Sequence, residues 1–299
     1  MKINRNRTPQ GVLKQFSDII RQRKDIRWLL FWLAGLLGLW LWDSIFLNPL
    51  AYELISSAIV HTFVGASAAV ALSLFIGWSA GIALYFLENG RARSIHLLLM
   101  FFLNLIRSIP QIVGLLIGYI ILTLLIAFGF LQSPLSQILW MAFVISIFCS
   151  LEVLDLVAER IMHFRKSDYF HAMLCCGIKE SRIINVEILW KNSLSHLLHK
   201  LVSLFGVAIL LQCSIDFIIS VGLSTDVSLS NFPVTLGSLL AKLDSKQDIL
   251  ALGSMLVEPS YASRILFQHL QGVSVAFVIV FTLLCVFQIA DGLVRQYDL

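Results

Sequence analysis

The sequence predicts an all-α, polytopic membrane bundle of about six transmembrane helices with both termini in the cytoplasm. Three observations predict it. Of the 299 residues, 58% are hydrophobic and only 13% charged, about half the charged share of a soluble domain, so the apolar excess has no soluble core to fill. The apolar residues fall in long charge-free runs broken by short polar connections, and a bilayer core of about 30 Å needs roughly 20 such residues per crossing. Lys and Arg gather in connections that helix counting puts on one side, as the positive-inside bias requires. The net charge of +4 is therefore a topology signal and not the footprint of a nucleic acid or other acidic partner.

Residues 1–27 form a basic cytoplasmic segment carrying Lys2, Arg5, Arg7, Lys14, Arg21, Arg23, Lys24 and Arg27. Trp28 to Leu47 is apolar apart from Asp43. The run is long for a signal-peptide core and no small-x-small cleavage site follows, so it reads as an uncleaved first helix. Pro49 is expected to end it, and residues 28–56 then comprise the helix and a short external loop. Trp28, Trp32, Trp40 and Trp42 flank or fill this span, and those near its ends read as interfacial anchors.

The second span, roughly Ser57 to Leu87, carries Gly65, Ala69, Ser73, Gly77 and Gly81 at every fourth position. Small residues at that spacing make one ridge on which another helix packs backbone to backbone. The ridge is either a static seam or one that moves. A polar turn with Arg91 and Arg93 leads into an apolar region from about Ser94 to Leu131, interrupted by Arg107-Ser-Ile-Pro110. Proline cannot continue the helical ladder and its predecessor avoids helical geometry, so a kink or break is expected. Gln111 to Leu151 is uncharged and too long for one crossing, with Gln132-Ser-Pro134-Leu-Ser136 as the hairpin turn between spans three and four.

The most polar interior stretch, Glu159 to Lys200, holds Arg160, Arg165, Lys166, Lys179, Arg182, Lys191 and Lys200, and falls on the N-terminal side of the membrane. A fifth span runs from about Leu201 to Leu223. The external segment from Ser224 to Leu270 sets Lys242, Lys246 and Arg264 against Asp226, Asp244, Asp248 and Glu258, with no basic excess. The last span, Gln271 to Ala290, returns the chain to the cytoplasm.

Chemistry-bearing constellations are sparse. Cys149, Cys175, Cys176, Cys213 and Cys285 lie in or beside apolar runs without C-x-x-C spacing, which suggests neither a disulfide framework nor a zinc site. His196 and His199 share a helix face, but no further ligand follows at metal spacing. No H-E-x-x-H motif and no carboxylate pair within the spans is present, so the metal-hydrolase and paired-carboxylate sites of a membrane-embedded enzyme are missing. No cofactor is expected. Asp216 lies in the middle of the fifth span, where a carboxylate costs at least about 2.5 kcal/mol and faces a partner or a water-filled path. A satisfied structural carboxylate, or one nearer the external interface, is the other reading. Arg107 is long enough to snorkel to the cytoplasmic face.

Residues 168–192 read DYFHAMLCCGIKESRIINVEILWKN: a short helix, a glycine turn and a second amphipathic helix, outside the bilayer but flanked by spans. This stretch resembles the coupling loop of ABC importer permeases, whose pattern runs D-Y-x-E-A-A, three residues, G, then an I-L-P-N ending. Asp168, Tyr169, Ala172, Gly177, Arg182, Ile183, Ile184, Ile188 and Leu189 match in register, and Asn192 lies one residue past the pattern's asparagine. His171 stands where the pattern has glutamate, and Trp190 where it has proline. Residues 208–223, AILLQCSIDFIISVGL, resemble the A-I-L-L-E-A-S-L-S-F-L-G-L-G run of dipeptide and oligopeptide permeases. Thr235 to Ala241, TLGSLLA, resembles their later S-W-G-x-L-L-A, and Asp291-Gly292-Leu293 their terminal D-G-L.

The resemblance implies a type I ABC importer permease fold over residues 57–295, with the loop at 159–200 docking into a cleft on an ATP-binding subunit. It implies two ATP-binding subunits per complex, a second permease that is a different chain, an external solute-binding protein, and a place in the bacterial inner membrane. The chain has no G-x-x-x-x-G-K-[ST] loop, so ATP hydrolysis is expected on the partner. Asp216, Gln212 and Arg107 are the candidate residues of the translocation path. Peptides are the expected substrate, although Arg107-Ser-Ile-Pro110 is closer to methionine and phosphonate permeases, and the G-T-D-D-x-G-R-D segment of the peptide family is missing. Phosphonate, an amino acid, a metal complex or a polyamine remain alternatives, as does a degenerate subunit that does not transport.

Overall fold

The computed structural model describes residues 23–89, 93–222, 232–242, 253–261, 263 and 270–297. The basic residues from Lys2 to Arg21, Arg91, and the charges at Asp226, Asp244, Lys246, Asp248 and Arg264 lie outside the described residues. Within them all regular structure is helical. The helices are α1 (Lys24–Phe46), α2 (Pro49–Asn89), α3 (Arg93–Ser108), α4 (Gln111–Ala127), α5 (Pro134–Arg165) and α6 (Asp168–Cys175). A helical turn α7 (Glu180–Arg182) runs into a π-helical segment at Ile183–Asn192, followed by α8 (Leu194–Gly222), α9 (Leu236–Lys242) and α10 (Leu270–Tyr297). Among the described residues five helices are long and apolar enough to cross a membrane, or six if α3 and α4 are one bent span. The chain is a multi-pass, membrane-spanning helical protein.

The surface of α1 shows what solvent the bundle is built for. Its buried residues are Asp25 and Asp43, while Leu33, Leu37, Trp40 and Ile45 are exposed. Polar groups inside and apolar groups outside is the pattern that hydrocarbon selects, since a charge there must find a protein partner. Asp43 accepts a hydrogen bond from Ser274 Oγ at 2.7 Å, Trp32 Nε1 donates to Thr282 Oγ1 at 3.1 Å, and Lys24 pairs with Asp291 at 2.5 Å. These contacts strap α1 along α10. Gly292, in the terminal D-G-L, lets α10 approach so closely that a Cβ there would stand 2.6 Å from the backbone nitrogen of Asp25.

Pro49, expected to end the first helix, instead begins the second. α1 stops at Phe46 and Pro49 is the first residue of α2. Proline suits that position because the N–H it lacks would have no acceptor within the helix. Residues 49–56, expected as a loop, thereby join a 41-residue helix, which at 1.5 Å per residue is roughly 60 Å long and projects beyond a core of about 30 Å. The break at Arg107-Ser-Ile-Pro110 is present, with α3 and α4 meeting at 99°. α4 ends in a Schellman turn: Gly129 takes φ +78°, its N–H reaches Ile126 O, and Phe130 N–H reaches Leu125 O. Pro134, expected within the hairpin turn, is the first residue of α5, whose N-cap Ser133 accepts from Ser136 N–H at 3.2 Å.

The tightest seam lies between α2 and α5. A Cβ on Gly77 would stand 2.6 Å from the carbonyl oxygen of Ser150, and one on Gly81 would stand 2.7 Å from Val157 Cγ1. Ala69 and Ser73 are completely buried on the same ridge. Gly65, at its far end, abuts Gln212 of α8 instead. On another face of α5, Gly114 and Gly118 of α4 receive Phe148 and Val144. α5 is thus held between α2 and α4 by glycine contacts, the packing that helices use where lipid removes the hydrophobic drive for association.

Replacing Gly77 by Val puts methyl groups into the backbone of α5, and overpacking of this kind costs about 1–3 kcal/mol. Thermal unfolding in detergent is expected to shift down clearly for Gly77→Val. It should be nearly unchanged for Gly38→Val, because a Cβ at Gly38 meets nothing within 4 Å.

Candidate functional site

Two features stand out, one at each end of α5. The first is the elbow that follows Arg165. α6 closes with a Schellman turn in which Gly177 takes φ +77°, its N–H bonds Leu174 O at 2.9 Å, and Ile178 N–H bonds Met173 O at 3.2 Å. Gly177 is glycine for backbone reasons alone, since a Cβ there would meet nothing within 4 Å and L-residues disfavour that φ. After the turn, Ile183, Ile184, Ile188 and Leu189 are all buried. Their pairing at intervals of five is the repeat of a π-helix, whose hydrogen bonds run i to i+5, so the expected amphipathic helix exists with a wider pitch. Asn192 closes it by donating to Glu187 O at 2.6 Å.

The residues expected to form a coupling loop divide by burial. Phe170 and the four aliphatics anchor the elbow to the bundle. His171, Ala172, Gly177 and Arg182 are exposed together with Tyr169, and Trp190 is 61% exposed. Asp168 opens α6, where its charge favours the helix N-terminus.

Contacts from outside the loop latch the elbow to the long helices. Tyr85 Oη donates to Glu180 Oε1 at 2.5 Å, the Arg165 guanidinium lies 5.4 Å from the Tyr85 ring centroid, and Trp78 Nε1 donates to Asn185 Oδ1 at 3.3 Å. Lys200 of α8 pairs with Glu152 of α5 at 2.6 Å. Tyr85, Trp78 and Glu152 were not legible as functional, because in the sequence they read as ordinary residues of an apolar helix or its polar end.

The second feature is a cavity of about 40 Å³ near the start of α5, in which a few polar side chains interrupt a mostly apolar lining. Gln137 of α5 and Gln212 and Asp216 of α8 meet there, with Tyr119 of α4 and Thr235 and Ser238 at the start of α9. Thr235 and Ser238 cap α9 reciprocally, Ser238 N–H bonding Thr235 Oγ1 at 3.2 Å and Thr235 N–H bonding Ser238 Oγ at 2.9 Å. α2 holds this cap in place: His61 Nδ1 donates to Val234 O at 2.8 Å, and Leu236 N–H donates to Thr62 Oγ1 at 3.0 Å. Gly237 lets α9 lie directly on α8, since a Cβ there would be 2.3 Å from the carbonyl oxygen of Cys213. The described parts of the two segments, 208–222 and 235–241, therefore form one packed unit.

Asp216 and Gln212 are brought together, and Arg107 is not. Arg107 pairs with Asp155, which lies 18 residues beyond Gln137 on α5, roughly 27 Å along the helix axis. From Gln137 to the end of α5 at Arg165 is roughly 40 Å, so one rigid helix joins cavity and elbow. His199, considered with His196, donates from Nδ1 to Ala290 O at 2.8 Å. Cys175 and Cys176 are exposed, and Cys149, Cys213 and Cys285 are buried.

No family model matches the chain, and no curated protein matches it.

Removing the Tyr85 hydroxyl takes a donor from the Glu180 carboxylate, a contact worth about 1 kcal/mol or somewhat more. In Tyr85→Phe, amide hydrogen exchange is expected to rise roughly fivefold across residues 178–190, with α5 residues 140–150 unchanged as an internal control.

Proposed function

We propose that the chain is a permease subunit of an ATP-driven importer of the bacterial inner membrane, in which the elbow docks an ATP-binding subunit and the cavity belongs to the substrate path. The observation that carries this reading is the elbow itself. A helix, a positive-φ glycine and a second helix stand between α5 and α8, with one face anchored in the bundle and His171, Ala172 and Trp190 outward.

Such an elbow suits force transmission for a physical reason. Its apolar anchors and the Tyr85–Glu180 and Trp78–Asn185 contacts oblige it to move with α2 and α5 as a body. A push on the exposed face then turns whole helices instead of deforming a loop. The resemblance of residues 168–192 to the coupling loop and the packing of α9 on α8 support the same reading. In this mechanism a second permease, a different chain, completes the path, two ATP-binding subunits sit under the elbows, and an external binding protein delivers substrate. Peptides are the substrate class to which the segment at 208–223 points.

Affinity purification of the tagged chain in mild detergent tests the docking. An ATP-binding subunit is expected to co-purify with the wild type and with Gly177→Asn, since Asn tolerates left-handed backbone. It should be lost from Gly177→Val, where a β-branched residue at φ +77° strains the turn by about 1–3 kcal/mol. If no ATPase is recovered with the wild type under conditions that hold a control importer together, the reading fails.

Coupling strength gives a second test. His171 is exposed, so His171→Glu restores the carboxylate of the pattern without disturbing packing. ATP-driven uptake in reconstituted vesicles is expected to increase, and an unchanged rate would remove His171 as a determinant of coupling.

A further inference from the structure

We propose that the cavity between Gln137, Gln212 and Asp216 is a binding site for a small monovalent cation, supplied either as an inorganic ion or as the ammonium head of a carried solute. The site is read from its own geometry; only the ammonium source rests on the transport reading.

Unpartnered oxygens belong to three residues that line this cavity. Among the described residues Gln137 Oε1, Gln212 Oε1 and Asp216 Oδ2 are buried and accept no hydrogen bond. Gln137 is 2% exposed and Gln212 4%, so neither side chain is an incidental surface group. The orientation of the Gln137 amide is fixed by its other end, since Nε2 donates to Leu131 O at 3.2 Å and leaves Oε1 as the unengaged atom. The Thr235 hydroxyl bonds the Asp216 carboxylate, but a hydroxyl carries no countercharge.

Among the described residues no Lys, Arg or His lines the cavity. A carboxylate in a spanning helix with no countercharge is strongly disfavoured, and two buried amide oxygens beside it deepen the negative potential. A cation in the cavity supplies the missing countercharge. Tyr119 and Phe232, whose ring centroids are 5.3 Å apart, also line the site. Size permits such an occupant. A volume of about 40 Å³ exceeds the roughly 10–15 Å³ that one water requires, so a bare alkali ion or an ammonium group fits.

The test is thermal unfolding of the purified full chain in lipid nanodiscs. The salts are NaCl, KCl, methylammonium chloride and N-methylglucamine chloride at equal ionic strength, the last cation being too large to enter. A saturable rise in Tm is expected with at least one of the three small cations, and its apparent Kd should weaken about tenfold or more in Asp216→Asn. If Asp216→Asn does not fold, Gln137→Leu must show the weakened response in its place. A rise with Na⁺ or K⁺ assigns an inorganic ion, and a rise with methylammonium alone assigns a solute head group. Equal Tm in all four salts, or a response unchanged in the folded variant, overturns the proposal. Because no ATPase enters this measurement, its failure is separate from failure of the docking experiment.

Discussion

The close approach of α2 and α5 over Gly77 and Gly81 is the constraint on which the rest of the bundle depends. Lipid is as apolar as any leucine, so helices in a bilayer gain little by hiding apolar surface and must gain by packing. The glycines let backbone meet side chain at distances that no other residue permits. α5 becomes the most enclosed of the long helices, with α4 closing on it through Gly114 and Gly118. Its two ends then carry the two features with functional content, the cavity near Gln137 and the elbow after Arg165.

Polar groups inside the bundle follow the same logic in reverse. Asp43 is matched by Ser274, and the Lys24–Asp291 pair and the Trp32–Thr282 bond complete a polar seam between α1 and α10. Each removes a cost that hydrocarbon would otherwise impose. The cavity differs, because Gln137, Gln212 and Asp216 present oxygens with too few donors among the described residues. Asp216 has the Thr235 hydroxyl as a partner but keeps Oδ2 unengaged, beside a Gln137 oxygen that is also unengaged.

Much of this was legible from residues alone. Composition and charge-free runs are enough for a multi-pass helical protein, because the length of an apolar run is tied to bilayer thickness. Pro110 announced the break between α3 and α4 by local sterics, and Gly177 announced its turn by the one backbone freedom glycine adds. Pro49 misled for an instructive reason: proline stops a helix that precedes it and equally starts one that follows, and only the continued apolar run after it separates the two. Gln137 escaped notice because a single glutamine near a helix start has no periodic signal.

The sequence by itself determined most of the elements: the long helical stretches, the break at Pro110, and that residues 168–192 form two arms about a glycine, since propensity, proline sterics and run length act locally. The tertiary structure alone decided what those elements face. It set Gln137 beside Gln212 and Asp216, sent Arg107 to Asp155 instead, and tied Glu180 to Tyr85, a residue 95 positions earlier. The physical reason is that these pairings depend on how far glycine ridges let helices approach and rotate, a property of two surfaces together that neither helix carries in its own residues.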